Sequence, residues 1–444
     1  MYLRKKKSML KIIVFRILII STTISFGQNV SSWNSKRDKI KIPFELSHNL
    51  IIVDVVFNGV NLKMIADTGA SKSIVFSLPN NESMVLKETN LITITGAGIS
   101  EKVEGYLSKN NTLEVGKYRD SNFEAIFVFD RDISLVNRLG IPINGILGSS
   151  FFKDYLIELD YQRMNIILHK SNKLKKTDSY AVSKIEINND RPYIYLNTII
   201  DKDEINLKLL YDTGLSDGLW LFENDSLKCN SYYFEDYLGK GLSGDIYGKK
   251  SRVKEVKLEG NLLSNVLVSY PEKSFFDISI PMQNRNGFLG GEVIKRFNWI
   301  LDYENQKVYF KKNSLFNKPF EYNMAGIEVQ HSGFQFVKEK VQNAFSTNVI
   351  SFEKNTTQDT YSDYFKYELK PNFEIYSIRK KSPAAIAGLE VGDIILKINN
   401  YTSHNLSIQR IVDLFHSKEG KQITIQVSRK GVVKTFKFNL EKIL

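Results

Sequence analysis

A duplicated motif constrains the fold of this chain more than any other feature of its sequence. The segment Asp67-Thr68-Gly69-Ala70-Ser71 recurs 145 residues later as Asp212-Thr213-Gly214-Leu215-Ser216. Further matches follow in the same order, the first two at the same offset and the last two at an offset of 142: Gly96 with Gly241, Leu113-Glu114 with Leu258-Glu259, Gly145-Ile146-Leu147-Gly148 with Gly287-Phe288-Leu289-Gly290, and Leu159-Asp160-Tyr161 with Leu301-Asp302-Tyr303. Ordered matches of this kind indicate gene duplication. The sequence therefore predicts two similar lobes related by an approximate two-fold axis.

Both copies have the residue pattern of β structure. Runs of β-branched and aromatic residues that end in turn residues are typical of strands, and two such runs precede each Asp-Thr-Gly motif. The predicted strands are Ile51–Phe57 and Leu62–Ala66 in the first copy, and Tyr193–Ile200 and Ile205–Tyr211 in the second. The fold class predicted for this part of the chain is mainly β.

The N-terminal segment has the pattern of an export signal. The first 27 residues hold six of the 61 basic residues and no acidic residue, and they contain a short apolar run from Ile17 to Phe26. A basic start, a short apolar core and a small residue before a polar segment are typical of a secretory signal peptide. We expect cleavage after Gly27 and a periplasmic or secreted protein of the bacterial cell envelope; an uncleaved N-terminal anchor is the alternative.

The charge of the remaining chain does not favour a nucleic-acid partner. The formal charge of the whole chain is +12, and it falls to +6 without the six cations of the signal segment. The remaining basic residues are scattered, and no basic helix or aromatic-basic strand motif stands out, so nucleic acid is not an expected partner.

Cysteine and histidine are too few and too scattered for several kinds of site. Cys229 is the single cysteine, and the five histidines form neither an HExxH motif nor a Cys/His cluster. An intramolecular disulfide is therefore excluded, and no zinc or other metal site and no cofactor is expected.

Two Asp-Thr-Gly loops related by a two-fold axis suggest a particular chemistry. The axis would bring Asp67 and Asp212 face to face. Two carboxyl groups a few ångströms apart do not both ionise easily, so they share a proton. One can then act as general base on a water molecule while the protonated partner donates to a carbonyl oxygen. This chemistry hydrolyses a peptide bond without a metal or a covalent intermediate.

The two loops resemble the active-site loops of aspartic proteases, of the retropepsin-like and pepsin-like kind. The resemblance covers roughly residues 46–312, and the lobe length is nearer to the retropepsin-like lobe. It implies that Asp67 and Asp212 are the catalytic pair. It also implies supporting roles for the remaining loop residues, in which the threonines interlock the loops and the serines bond the carboxylates: Thr68, Gly69, Ser71, Thr213, Gly214 and Ser216.

The same resemblance implies a glycine-containing flap over the substrate in each lobe. The candidates follow each aspartate by 29 residues and are Gly96, Ala97 and Gly98 in the first lobe and Gly241 and Leu242 in the second. Neither tip has a well-placed tyrosine, since Tyr106 and Tyr247 are too far along the chain.

Two other interpretations of the motif remain. A single Asp-Thr-Gly is often only a turn, although its duplication argues against that interpretation. The lobes could also bind extended peptides without cutting them, which gives the alternative function of a noncatalytic peptide-binding envelope protein.

The C-terminal part has a different pattern. Ser382-Pro383 begins a short helix that stops at Gly388, Gly392-Asp393 turns into a strand, and residues 406–416 have the spacing of an amphipathic helix. These residues resemble a PDZ domain in its bacterial strand order. The resemblance implies that the loop Met324-Ala325-Gly326-Ile327 receives a peptide C-terminus or an extended segment with its backbone N–H groups. A small α/β domain that only packs against the lobes is the alternative.

The predicted organisation follows from these segments. It comprises a signal peptide (1–27), a lead-in (28–45), two aspartic-protease lobes (46–175 and 176–315) and a PDZ-like α/β domain (316–444) with a polar insertion near 343–372. The function predicted from the sequence is an exported aspartic endopeptidase with polypeptide substrates, peptide partners at its PDZ domain and no stable membrane span after signal cleavage.

Overall fold

The structure is a computed structural model of the 444-residue chain. It describes residues 31–33, 38–79, 82–94, 103–128, 139–170, 177–241, 244–275, 285–340 and 365–444. The predicted signal peptide, residues 1–27, lies outside the described residues. Within the described ranges, no helix is long and apolar enough to cross a membrane.

Strands dominate the first part of the chain, and one turn of 3-10 helix (Ser149–Phe151) interrupts them. The strands of this part are β1 (Ser31–Trp33), β2 (Lys39–Pro43), β3 (Glu45–Ser47), β4 (Leu50–Phe57), β5 (Val60–Ala66), β6 (Ser73–Val75), β7 (Thr89–Ile94), β8 (Val103–Val115), β9 (Tyr118–Phe127), β10 (Gly145–Leu147), β11 (Leu156–Asp160) and β12 (Asn165–His169).

The second part repeats this order of elements, with a 3-10 turn at Lys273–Phe275 and a short helix α1 (Gly291–Ile294). Its strands are β13 (Ala181–Asn188), β14 (Arg191–Ile200), β15 (Asp203–Tyr211), β16 (Leu219–Leu221), β17 (Tyr233–Gly241), β18 (Gly244–Leu258), β19 (Asn261–Pro271), β20 (Gly287–Leu289), β21 (Phe297–Asp302) and β22 (Lys307–Lys312).

The C-terminal part mixes strands and helices. Its elements are β23 (Ile327–Lys340), β24 (Phe365–Ile378), α2 (Pro383–Ile386), β25 (Ile394–Ile398), β26 (Tyr401–Thr402), a 3-10 turn (Ser403–Asn405), α3 (Ile408–Phe415), β27 (Gln422–Arg429) and β28 (Val432–Asn439). The side chains of Ser382 and Ser407 cap the two helices by accepting hydrogen bonds from the N–H groups of Ala385 and Arg410, both at 3.2 Å.

The two copies have the same local topology, which confirms the prediction of two pseudo-symmetric, mainly β lobes. In the first copy β10 lies between β5, to which it is parallel, and β6, to which it is antiparallel. In the second copy β20 lies in the same way between β15 and β16. Each Asp-Thr-Gly motif directly follows the strand, β5 or β15, that pairs with the repeated Gly-apolar-apolar segment.

A sheet shared by both copies joins the lobes. Strands β2, β12 and β11 continue into β21, β22 and β13 in one sheet, and the central pair aligns Leu159 with Trp299 and Ile157 with Leu301. Residues of both copies pack into one large buried cluster around this sheet. Within the lead-in predicted for residues 28–45, β1 pairs with β9 and β2 pairs with β12.

The C-terminal domain forms its own six-stranded sheet, in the order β23-β24-β25-β27-β28 with β26 against β25. Most of the polar insertion predicted near 343–372 falls outside the described residues. Its last part differs from the prediction, because Phe365–Asn372 belongs to β24 and pairs with β23. The alternation Phe365-Lys366-Tyr367-Glu368-Leu369-Lys370 has the two-residue period of a strand, which accounts for the difference.

Candidate active site

The strand order fixes the two Asp-Thr-Gly loops against each other. The N–H groups of Asp67 and Asp212 each donate a 2.9 Å hydrogen bond, to the carbonyl oxygens of Leu147 and Leu289 respectively. These carbonyls end β10 and β20. The repeated Gly-apolar-apolar-Gly segment therefore supports each loop through a backbone hydrogen bond.

Asn144 and Asn286 strengthen the same support, and sequence reasoning missed both. In each copy the asparagine Oδ1 accepts a hydrogen bond from the strand that carries the aspartate, at Lys63 N (3.0 Å) and at Lys208 N (2.8 Å). Both residues precede the repeated Gly145 and Gly287 at the same offset of 142 residues. Extending the repeat by one residue would have found them.

The two aspartate carboxyl groups lie at the junction of the lobes and share a hydrogen bond. Gly69 and Gly214 allow this close approach, since a Cβ on Gly69 would lie 2.5 Å from Cγ of Asp212 and a Cβ on Gly214 would overlap the carboxyl group of Asp67. Backbone N–H groups orient the carboxylates. Asp67 Oδ1 accepts from Gly69 (2.6 Å) and Ala70 (3.1 Å), and Asp212 Oδ1 accepts from Gly214 (2.8 Å).

Thr68 and Thr213 interlock the loops across the lobe junction. The hydroxyl of each threonine accepts a hydrogen bond from the N–H of the other, at 3.1 Å and 3.0 Å. Each hydroxyl then donates to a carbonyl of the opposite copy, Thr68 to Tyr211 (2.6 Å) and Thr213 to Ala66 (2.7 Å). The side chains are 1% exposed, so these bonds hold the two aspartates in register without competition from solvent.

The loop serines have a different environment from the one the resemblance implies. Ser71 and Ser216 line the cavity around the aspartates. Within the described residues, neither hydroxyl bonds an aspartate carboxylate, and the backbone N–H groups of the loops take that position. The carbonyl of Ser216 accepts from Asn49 Nδ2 at 2.9 Å, which ties the first copy to the second beside the dyad.

Burial raises the pKa of both aspartates. For Asp212, burial and the neighbouring charge of Asp67 place the pKa well above its usual range. For Asp67, the rise in pKa through burial is opposed by the hydrogen bond from Asp212, by the loop N–H groups and by the charge of Arg191. The two buried carboxyl groups in contact therefore share one proton.

A cavity of about 1100 Å³ lies above the pair. Ile94 of the hairpin β7–β8 and residues Tyr237 to Gly241 of the hairpin β17–β18 line it. Gly241 pairs with Gly244 at the tip of the second hairpin, and its role in a flap stays a prediction. The other flap candidates, Gly96, Ala97, Gly98 and Leu242, lie outside the described residues.

The same cavity continues to the C-terminal domain. Val329 on β23 and Ile408, Val412 and His416 on or just after α3 line it together with the two aspartates. Strand β23 is an edge strand of its sheet and contacts α3. Gln409 Oε1 accepts a 2.8 Å hydrogen bond from the N–H of His48, which fixes the helix to the first copy.

The predicted carboxylate-binding loop lies at the start of β23. Met324, Ala325 and Ile327 are buried, and Gly326 has a φ of 72°. Two of the four N–H groups have partners inside the protein, since Met324 donates to the carbonyl of Phe415 (3.1 Å) and Gly326 donates to Asn323 Oδ1 (2.9 Å). Among the described residues, the N–H groups of Ala325 and Ile327 have no such partner.

Two family models match parts of this chain. Residues 53–151 match the model described as aspartyl protease, and residues 374–429 match the model of the PDZ domain. The chain thus contains an aspartyl protease domain and a C-terminal PDZ domain, which confirms the two resemblances seen in the sequence. A search of curated proteins gave no match.

Proposed function

We propose that the protein is an aspartic endopeptidase that hydrolyses peptide bonds with Asp67, Asp212 and a water molecule. The hydrogen-bonded carboxyl pair at the floor of an open cavity is the observation that supports this proposal. The aspartyl protease match supports the same class of reaction.

The two carboxyl groups have different roles in the proposed reaction, because burial and the charge of Asp67 raise the pKa of Asp212 well above its usual range. The Asp67 carboxylate takes a proton from the water, whose oxygen forms a bond to the carbonyl carbon of the substrate. Asp212 gives its proton to the carbonyl oxygen, which yields a neutral tetrahedral diol. Asp67 then protonates the amide nitrogen, the C–N bond breaks, and a hydroxyl proton of the diol returns to Asp212.

The test compares the wild type with Asp67→Asn and Asp212→Asn variants on casein, with and without a pepstatin-type inhibitor. We expect each variant to lose at least about a thousandfold in rate, because neither the base nor the acid can be replaced by an amide. Asp54→Asn is the matched control, because its side chain is 82% exposed on the surface of the first lobe. If all four proteins cleave equally, the dyad is wrong. If none cleaves between pH 3 and 8, the noncatalytic peptide-binding alternative is favoured.

We also propose that the PDZ domain binds a peptide segment of the substrate and that the protein acts after export. The continuity of the cavity with β23 and α3 supports the first proposal. The composition of residues 1–27 supports the second. Determining the N-terminal residue of the protein isolated from its own cells tests the export signal, and retention of Met1 contradicts cleavage.

A further inference from the structure

The two lobes differ in charge beside the dyad. Arg191, at the start of β14, and Arg285, just before β20, both line the cavity on the side of the second copy. Arg191 is the first residue of β14 and lies two residues before Tyr193, which pairs with Leu210 of β15. In the first copy, Ile52 pairs in the same way with Ile65 of β5, and the residue two positions before Ile52 is Leu50. Arg285 precedes Asn286 as Ile143 precedes Asn144. The positions equivalent to the two arginines in the first copy are therefore apolar and buried.

Neither guanidinium has a carboxylate partner of its own among the described residues. The Nε atoms of both arginines are buried and have no hydrogen-bond acceptor. Arg285 has a hydrogen bond with Tyr193, which is a neutral partner. Asp190, the nearest acid along the chain, pairs with Lys153 Nζ at 3.1 Å. Buried or half-buried charges in proteins are normally paired. Two arginines beside a pair of aspartates that shares one proton leave an excess of positive charge in the cavity, which calls for an external anion.

The surroundings hold Arg285 in place for such a partner. Its guanidinium carbon lies 4.4 Å from the ring centre of Phe288 and 5.9 Å from that of Phe222. Stacking on aromatic rings fixes the plane of a guanidinium and leaves its N–H edge available to a carboxylate. Burial is the main cause that lowers the pKa of Arg285, and the charge of Arg191 lowers it further. The two arginines therefore lie near each other.

We propose that Arg191 and Arg285 form a carboxylate-binding subsite of the cleft, which selects substrates with an aspartate or glutamate side chain close to the scissile bond. This inference rests on the proposed protease function. Arg191 acts on the charge of Asp67 and Arg285 on that of Asp212, so the subsite lies beside the reacting atoms. The apolar wall of the first lobe, with Leu50, Ile65 and Ile146 in the cavity, favours an uncharged side chain on the opposite side.

The experiment profiles cleavage of a peptide library with amidated C-termini by mass spectrometry. We expect the wild type to enrich Asp and Glu at one position near the cut and to cleave a matched Glu peptide about tenfold faster in kcat/KM than its Gln counterpart. Arg191→Gln and Arg285→Gln should each reduce this ratio towards one. Arg119→Gln is the control, because it removes a surface arginine that is half exposed on β9 and should keep the ratio.

Two further arms distinguish side-chain selectivity from binding of a terminal carboxylate and from a purely electrostatic effect on the dyad. A Gln peptide with a free C-terminus tests whether a terminal carboxylate occupies the subsite; if it alone gains rate, the proposed side-chain selectivity is wrong. If the arginine variants shift the pH profile equally for Glu and Gln peptides and leave their ratio unchanged, the arginines tune only the dyad and the subsite is rejected.

The inference remains testable if no peptide is cleaved. Binding of fluorescein-labelled Glu and Gln peptides to the wild type and to both arginine variants is then measured by anisotropy, and the expected ratio of Kd values is again about tenfold. Equal Kd values for the two peptides overturn the subsite. The absence of cleavage by itself counts only against the proposed protease function.

Discussion

At the scale of single residues, the environment of the two carboxyl groups sets the pH range of the proposed reaction. Asp67 must be ionised and Asp212 must be protonated. Burial raises the pKa of both, and that of Asp212 more strongly. The rate should fall on the acid side as Asp67 becomes protonated, and on the alkaline side as Asp212 loses its proton.

We therefore expect a bell-shaped profile of kcat/KM with its maximum above about pH 4, where an ordinary pair of exposed aspartates would already be ionised. The measurement is the rate on one peptide from pH 2.5 to 8 at constant ionic strength. A maximum below about pH 4 would contradict the direction of the pKa shifts. A profile of kcat/KM that falls on only one side would also contradict the proposal, because it would mean that only one carboxyl group titrates.

At the same scale, sequence reasoning found the residues of the proposed dyad but not all their supports. The Asp-Thr-Gly repeat named Asp67, Asp212 and both threonines. It did not name Asn49, whose side chain donates to Glu292 Oε2 (2.9 Å) and accepts from Lys295 Nζ (2.8 Å) across the lobe junction. These contacts join residues more than 240 positions apart and follow no local pattern, so only the folded chain brings them together.

At the scale of elements, the threonine pair links the two Asp-Thr-Gly loops directly. A Thr68→Val variant keeps the shape of the side chain but leaves the N–H of Thr213 and the carbonyl of Tyr211 without their buried partner. We expect a loss of about 1–3 kcal/mol in the free energy of unfolding, measured by urea denaturation. Thr68→Ser keeps the hydroxyl and is the control. Equal losses in the two variants would show that the methyl group matters and the hydrogen bonds do not.

The hairpin β17–β18 makes a second link, between the cavity and the PDZ domain. The hydroxyl of Tyr376 on β24 bonds the carboxylate of Asp245 near the hairpin tip, and Arg379 pairs with Asp236 at 3.3 Å further along the hairpin. Both partners of the second pair are buried, so the hairpin is docked on the domain on one side while it lines the cavity on the other.

Removing the first of these bonds should loosen the hairpin tip. In a Tyr376→Phe variant we expect amide hydrogen exchange near Asp245 to rise about three- to tenfold, because one hydrogen bond no longer opposes local opening. Exchange in the shared sheet of the two lobes should stay unchanged. Tyr401→Phe, at a half-exposed tyrosine elsewhere in the domain, is the control. Identical exchange at the tip in both variants would mean that Tyr376 does not hold the hairpin.

At the scale of the whole molecule, the segment between the second lobe and the PDZ domain is built into the second lobe. The buried guanidinium of Arg296 donates to the carbonyl oxygens of Phe316, Lys318 and Pro319 and stacks on the ring of Phe320. Phe316 and Phe320 belong to the large core of the two lobes. A truncation at residue 316 would therefore damage that core, so the role of the PDZ domain is better tested by point substitutions.

Val412 on α3 offers such a test, because it lines the cavity where the space between β23 and α3, here called the PDZ groove, meets the cleft around the two aspartates. We expect a Val412→Arg variant to lower kcat/KM about tenfold on a substrate long enough to reach both α3 and the dyad, since the side chain fills the space beside β23. A short peptide that occupies only the dyad region should be cleaved at the wild-type rate. Val432→Arg is the matched control on the outer hairpin, where the valine is 59% exposed. Equal losses on long and short substrates would argue against binding at the PDZ groove.

The strands of the lobes could be predicted from the sequence more completely than those of the PDZ domain. Strands beside the Asp-Thr-Gly motifs were predicted to within two residues, as for β4 and β15, because apolar periodicity and turn residues are local signals. The strand at Phe365–Asn372 was assigned to an insertion. Its partner β23 lies on the far side of residues 341–364, so the pairing of the two strands is not a local feature of the sequence.

The sequence by itself determined the duplicated loops, the mainly β class and the PDZ domain, because each depends on residue types at fixed spacing along the chain. Only the tertiary structure decided how these parts combine. The pKa values of the two aspartates depend on their burial. The presence of two arginines without a carboxylate partner of their own depends on which side chains face the cavity. The cavity shared by the lobes and the PDZ domain depends on the docking of α3 against the first lobe. These are contacts between distant parts of the chain, and their energies follow from the distances that folding sets.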